Sequence, residues 1–237
     1  MIPETIHWIW LGDSDPGEKI KGYMSSWPSV LPSFKQKLWD NEVLDKFPMP
    51  PIVMEAVKQK KWSLASDYIR LLAVYNEGGV YLDTDIIMIK PFNSEMMGSG
   101  FFSCVDTVGE FSPLAEPYQP FYRNGVCMDH SYHIGISAWL FGSVPGHPFL
   151  KDCLEWYQNL QGPLFDMVLS YTVIAPFSHG RLAKKYGFQP KDEFQKLKEN
   201  MVIYPEIYFG WSKVPPTSDL VFSFHMCNSS WFKDKGK

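Results

Sequence analysis

Cysteine is scarce in this chain, with four among 237 residues (Cys104, Cys127, Cys153 and Cys227) and no CxxC pair. That spacing excludes a dense disulfide framework and a structural zinc site, and it leads us to expect reduced thiols in a cytosolic protein. No stretch approaches the roughly 20 consecutive apolar residues that a membrane-spanning helix needs. The opening Met1-Ile2-Pro3-Glu4-Thr5-Ile6-His7-Trp8 has neither the basic start nor the apolar centre of a secretion signal. Internal repeats, low-complexity tracts and blocks of like charge are also missing. Lys plus Arg number 22 against 26 Asp plus Glu, a net charge of −4. Without a basic field the chain is not a nucleic-acid binder, and any phosphate would be held by a local site or a metal.

What is present is a globular composition. Hydrophobic residues make up 45% and charged residues 20%, which excludes intrinsic disorder. The length suits a single domain over residues 1–237. Aromatic residues reach 16%, including nine Trp. Most are expected in the core, and their rings are also platforms for nucleobases and sugars.

Apolar periodicity and breakers give an outline of strands alternating with helices, an α/β layered fold. Strands are expected at 5–10, 35–39, 80–82, 86–89, 101–105, 133–141, 201–204 and 220–225. Helices are expected at 18–27 (stopping before Pro28), 52–60, 149–160, 178–186 and, most clearly, 62–76. In that last helix Ser63 is the expected N-cap, Ser66 and Asp67 are expected in the first turn, and Gly78-Gly79 supplies the stop. Residues 107–131, rich in Pro, Gly and polar side chains, read as a long loop, and 142–148 as a turn.

Asp83-Thr84-Asp85 is the sharpest chemical feature. Two carboxylates at i and i+2 emerge from a buried strand and share a face of an extended segment. Such a pair can grip one hard cation, and Mg²⁺ or Mn²⁺ prefers oxygen ligands. A polar turn between two strands explains the three residues equally well. Asp67 and Arg70 lie three apart on one face of an otherwise apolar helix. They form either a structural ion pair or a carboxylate and guanidinium that hold a sugar and offset phosphate charge. His7 and Trp8 are expected to be packing residues. Asp129, His130 and His133 have irregular spacing and are read as acceptor-side lining or plain surface. Tyr118, Phe121 and Tyr122 either form an acceptor platform or pin the loop.

Several blocks together resemble bacterial sugar transferases of glycosyltransferase family 32. They are Ile2-Pro3-x-x-Ile6-His7-x-Ile9-Trp10-x-Gly12 with Leu38-Trp39-Asp40, and Trp62-x-x-Ala65-Ser66-Asp67-x-x-Arg70-x-x-x-x-Tyr75-x-x-Gly78-Gly79-x-Tyr81-Leu82-Asp83-x-Asp85. Gly142-Ser143-x-x-Gly146-His147-Pro148 and the segment from His225 to Trp231 are similar to later blocks. The central pattern is shared at greater distance by the catalytic domains of large clostridial glucosylating toxins.

The resemblance implies a GT-A type, Rossmann-like nucleotide-sugar-binding fold with a mixed central sheet flanked by helices. It implies one catalytic domain with an acceptor-side loop at 107–131. The activity it implies is retaining transfer of a hexose from a UDP- or GDP-sugar, with Mn²⁺ or Mg²⁺, to a saccharide or lipid-linked saccharide. By the same resemblance Trp10 stacks on the nucleobase, and Asp67 and Arg70 hold the donor sugar. Asp83 touches the ribose and the metal side, and Asp85 ligates the metal directly. His225 completes the metal site, with Asn228 as an alternative, and Trp231 meets the leaving phosphate. Asp40 and Ser66 join the donor-binding set. The family's usual His-His pair is His225-Met226 here, and an Asn common before Gly142 is replaced by Ser137-Ala138-Trp139. The expected location is the cytoplasm, peripheral to the inner membrane face. Two other readings are a haloacid-dehalogenase-like phosphatase using the DxD aspartates and a non-catalytic carbohydrate-binding module.

Overall fold

The computed structural model describes residues 1–107, 134–210 and 219–227, and the backbone of 121–123 and 126–128. Along the chain run β1 (Thr5–Ile9), α1 (Gly17–Met24), α2 (Ser26–Val30), β2 (Lys35–Trp39), α3 (Val43–Lys46), α4 (Pro51–Lys58) and α5 (Trp62–Glu77). Next come β3 (Gly79–Leu82), β4 (Ile86–Met88), α6 (Ser94–Gly98), β5 (Phe101–Thr107), β6 (Phe121–Arg123) and β7 (Val126–Met128). The remainder is β8 (Ile134–Ile136), β9 (Leu140–Ser143), α7 (Pro148–Gln158), α8 (Gly162–Leu169), α9 (Ala175–Ala183), β10 (Gln195–Leu197), β11 (Met201–Tyr204) and β12 (Ser223–His225).

The main sheet has the order β10-β11-β5-β9-β3-β1-β2, with β8 pairing separately with β5. β1 runs parallel to β2 and β3, and β5 parallel to β11. β9 is antiparallel to both β3 and β5. β3 and β5 therefore point the same way, and the carboxyl ends of β1, β3 and β5 share one edge, where ligands bind in open α/β sheets. All four residues of β3 are buried, as expected for a strand covered on both faces. One apolar cluster includes Tyr81, Phe101, Val105 and Phe141 and is covered by α4, α5 and α7 to α9. The other includes Val80, Leu82, Phe102, Cys104 and Leu140 and reaches Trp27, Ile86 and Phe209.

His7 shows why these strands lie in register. It is fully buried. Trp39 Nε1 donates to its Nδ1 at 3.0 Å, which leaves Nε2 to donate to the Gly78 carbonyl at 2.7 Å. This one ring ties β1 to β2 and to the α5–β3 junction, so the packing role expected of it is the one observed. Gly79 beside it has φ +107°, and a Cβ there would lie 2.6 Å from the Thr5 carbonyl oxygen; only glycine fits.

Several expectations need correction. Pro28 lies within α2 rather than ending a helix; near a helix start its missing N–H leaves no hydrogen bond unmade. The apolar run 133–141 is two strands, β8 and β9, because residues 137–139 turn out of the ladder. Gly142 and Ser143 continue β9 instead of turning. Within 107–131, Thr107 ends β5, and β6 and β7 form an antiparallel pair, so that segment is not wholly loop; its aromatic and β-branched residues favour strands. Ser63 does not cap α5. Lys61 is the N-cap, and the Ser63 hydroxyl bonds Tyr171 OH at 2.8 Å. Ser66 and Asp67 consequently fall in the second turn, where the helix dipole offers little.

Candidate functional site

The site lies at the carboxyl edge of β3. β3 delivers Asp83, and a tight turn closed by Ile86 N–H to the Asp83 carbonyl at 3.1 Å separates it from β4. The two carboxylates thus converge through a turn, not through the extended alternation that the spacing suggested. β12 pairs antiparallel with β4 and sets His225 opposite Ile86, and Met226 N–H donates to the Asp85 carbonyl at 3.0 Å. Ligand atoms of Asp83, Asp85 and His225 lie within 4.8 Å of one another. His225 Nε2 is 3.1 Å from Asp85 Oδ1 and 3.9 Å from Asp83 Oδ2. Two carboxylates and one imidazole, each half-buried, form a donor set that suits Mn²⁺ and also admits Mg²⁺.

Beside them Arg70 organises the other half of the site. It sits on α5, 5% exposed. Nη1 donates to the Ala138 carbonyl at 2.7 Å, Nε to the Ser66 carbonyl at 3.1 Å and Nη2 to Ser66 Oγ at 2.8 Å. The same guanidinium lies 3.1 Å from Asp67 Oδ1 and 3.4 Å from Asp83 Oδ1. It rests 4.6 Å from the centre of the Tyr81 ring, and the Tyr81 hydroxyl donates to Asp83. Asp67, Arg70 and Asp83 are therefore one network. Burial pushes Asp67 up to about 6 in spite of Arg70. Burial also raises Asp83, with Arg70 pulling the other way. For His225 burial favours the neutral ring, but the hydrogen bond to Asp85 prevails and moves it up to about 10.

The connection from β8 to β9 forms the floor. The Trp139 carbonyl accepts from Asp83 N–H at 2.9 Å, and the Trp139 indole stacks on His225 at 4.8 Å and 24°. Sequence reasoning flagged 137–139 only as a departure from a pattern. Its contribution is mainly through backbone carbonyls, which side-chain identity does not reveal. Tyr81 was missed as well; its position two residues before Asp83 on a strand, hence on the same face, was the available signal.

The other expected residues fall as follows. Trp10 follows β1, parallel to β3, so it lies along the same edge as Asp83; it is half-buried, and its Nε1 donates to the Ser14 carbonyl at 2.5 Å. Ser66 bonds Arg70 as described. Asp40 is exposed, and its carboxylate accepts from Glu42 N–H at 3.0 Å, a local turn that leads into α3. Trp231, Asn228, Tyr118, Asp129, His130 and His133 lie outside the described residues, as do the side chains of Phe121 and Tyr122.

Residues 17–102 match the family described as glycosyltransferase sugar-binding region containing DXD motif. The chain is 32% identical over 108 residues to an uncharacterised glycosyltransferase of Acanthamoeba polyphaga mimivirus, covering 43% of this chain and 42% of that protein. It is 28% identical over 103 residues to the human alpha-1,4-N-acetylglucosaminyltransferase, covering 43% of this chain and 22% of the relative. The chain thus spans less than half the length of these relatives. The PaToxG glycosyltransferase has the same fold, with a TM-score of 0.51 at 16% identity over 78% of this chain and 68% of that one. The resemblance to DXD-containing sugar transferases read from the sequence holds, and the fold is of the GT-A type.

Proposed function

We propose that this chain is a single catalytic domain that transfers a hexose from a UDP- or GDP-sugar to a saccharide or lipid-linked saccharide, with retention of configuration and with Mn²⁺ or Mg²⁺ as cofactor. The observation that carries this reading is the convergence of Asp83, Asp85 and His225 within 4.8 Å beside the Asp67–Arg70 pair. In this reading Asp83, Asp85 and His225 hold the cation. When bound, such a cation supplies positive charge against the departing diphosphate. Arg70 adds a fixed charge that needs no reorganisation, because Ala138 and Ser66 already hold its guanidinium. Asp67, with one oxygen on Arg70, orients a donor-sugar hydroxyl through the other. Trp10 offers its indole face to the base. The buried, unbridged thiols of Cys104 and Cys153 support a reducing, cytoplasmic location.

The test is a thermal-shift panel of UDP- and GDP-sugars with and without Mn²⁺, followed by nucleotide release from the best donor. A donor should raise the melting temperature only with Mn²⁺, and Asp85→Asn should abolish metal-dependent release in a folded protein. If no nucleotide sugar stabilises the protein, and simple phosphomonoesters are hydrolysed instead, the phosphatase reading replaces this one.

A further inference from the structure

The chain reverses sharply just after β12. Cys227 has φ +44°, a left-handed backbone that a residue with a Cβ rarely adopts. Met226, between it and His225, is pinned by its N–H on the Asp85 carbonyl at 3.0 Å. The reversal folds the Cys227 side chain back onto His225. Its Sγ lies 3.5 Å from the ring Nδ1 and 3.5 Å from the His225 carbonyl oxygen. Backbone strain of this kind persists where surrounding contacts hold it, and it gathers at functional sites.

A thiol has a single hydrogen to give. With that hydrogen donated to the His225 carbonyl, the sulfur meets the ring through a lone pair and accepts from Nδ1–H. In a neutral imidazole a proton on Nδ1 leaves the lone pair on Nε2. Nε2 is the nitrogen that faces the acids, 3.1 Å from Asp85 Oδ1 and 3.9 Å from Asp83 Oδ2. The Trp139 indole, stacked on the ring at 4.8 Å and 24°, fixes the ring plane but does not choose between the two nitrogens. We propose that Cys227 is a positioning residue for the cation site: its sulfur accepts from His225 Nδ1–H and so presents the Nε2 lone pair to the cation. Ligating imidazoles are held in this way through their second nitrogen, usually by a carboxylate or a carbonyl, and losing that partner weakens metal binding by about 10- to 100-fold. Sulfur is a weak acceptor, so the effect here belongs at the lower end. The inference rests on the cation-dependent reading above and adds the group that sets the His225 tautomer.

The test titrates Mn²⁺ calorimetrically, at one fixed pH, into the full chain as wild type, Cys227→Gly and Cys227→Ser, with the metal-free melting temperature of each. Glycine adopts a positive φ freely, so Cys227→Gly should melt no lower than the wild type without metal. It should nevertheless bind Mn²⁺ about tenfold more weakly. Cys227→Ser keeps a lone pair beside Nδ1 and should recover most of that affinity. Cys227→Ala carries the same expectation for Mn²⁺ as the glycine variant, and it decides if Cys227→Gly does not fold. A glycine variant that binds Mn²⁺ as tightly as the wild type overturns the role. A serine variant as weak as the glycine one overturns it too, because the loss would then come from packing. If the wild type itself binds no Mn²⁺, the cation site falls and this role with it. Wild-type binding that Cys227→Gly matches strikes the positioning role alone.

Discussion

Replacing Arg70 with methionine removes the cation that Asp67 and Asp83 share. In the wild type the guanidinium is 5% exposed, and the carboxylates keep 17% and 26% of their side-chain surface. Even beside Arg70, burial moves Asp67 from 3.8 to about 6. Each tenfold change in proton affinity is worth about 1.4 kcal/mol. Ionised Asp67 therefore costs the folded state about 3 kcal/mol relative to the unfolded chain. The sign follows from the raised value: the penalty is full above pH 6 and is relieved as pH falls toward 3.8. Without Arg70 both carboxylates lose their counter-charge, a loss of about 3–5 kcal/mol for a broken buried pair. Arg70→Lys keeps a charge but not the fork that reaches Ser66 and Ala138 together, and should lose about 1–3 kcal/mol. Urea denaturation at pH 8 and pH 5 measures both. The methionine variant should be least stable, relative to wild type, at pH 8 and recover part of its deficit at pH 5. A methionine variant as stable as wild type at pH 8, or a deficit that ignores pH, would refute the network.

Other consequences can be measured directly. His225 keeps its proton up to about pH 10 through Asp85, and a metal needs that lone pair. Mn²⁺ binding at pH 7.5 should therefore release about one proton, read by calorimetry in two buffers of different ionisation enthalpy; zero release removes His225 from the ligand set. Trp10→Ala should weaken nucleotide affinity by roughly tenfold, the value of a lost stacking contact, with smaller effect on turnover of bound donor; an unmoved dissociation constant rejects the stacking role. Gly79→Ala should prevent folding, because its Cβ would meet the Thr5 carbonyl at 2.6 Å; a native circular dichroism spectrum would count against that packing.

The sequence made legible what local periodicity and fixed spacing encode. The α5 register put Asp67 and Arg70 on one face, and Gly78-Gly79 ended that helix where expected. The three-residue apolar run Val80–Leu82 before Asp83 announced a buried strand. Long-range pairing was beyond reach. Nothing local says that β9 inserts between β3 and β5, or that the Ala138 and Trp139 carbonyls become partners of Arg70 and Asp83. The capping of α5 was misread for a similar reason: Ser63 has the chemistry of a cap, but Tyr171, far along the chain, takes its hydroxyl. The place of Cys227 against His225 passed unnoticed because a lone cysteine gains meaning only when its neighbours are known.

The pairing of β4 with β12 bears on how the protein is made. Asp83 and Asp85 leave the ribosome roughly 140 residues before His225, a delay of about 7–28 s at ordinary elongation rates. Throughout that interval the nascent chain holds two acids at a strand end without their imidazole neighbour. On the proposed reading, with His225 as a cation ligand, competence for transfer is a late event in biogenesis, and a prematurely terminated chain that keeps the whole central motif should be catalytically silent.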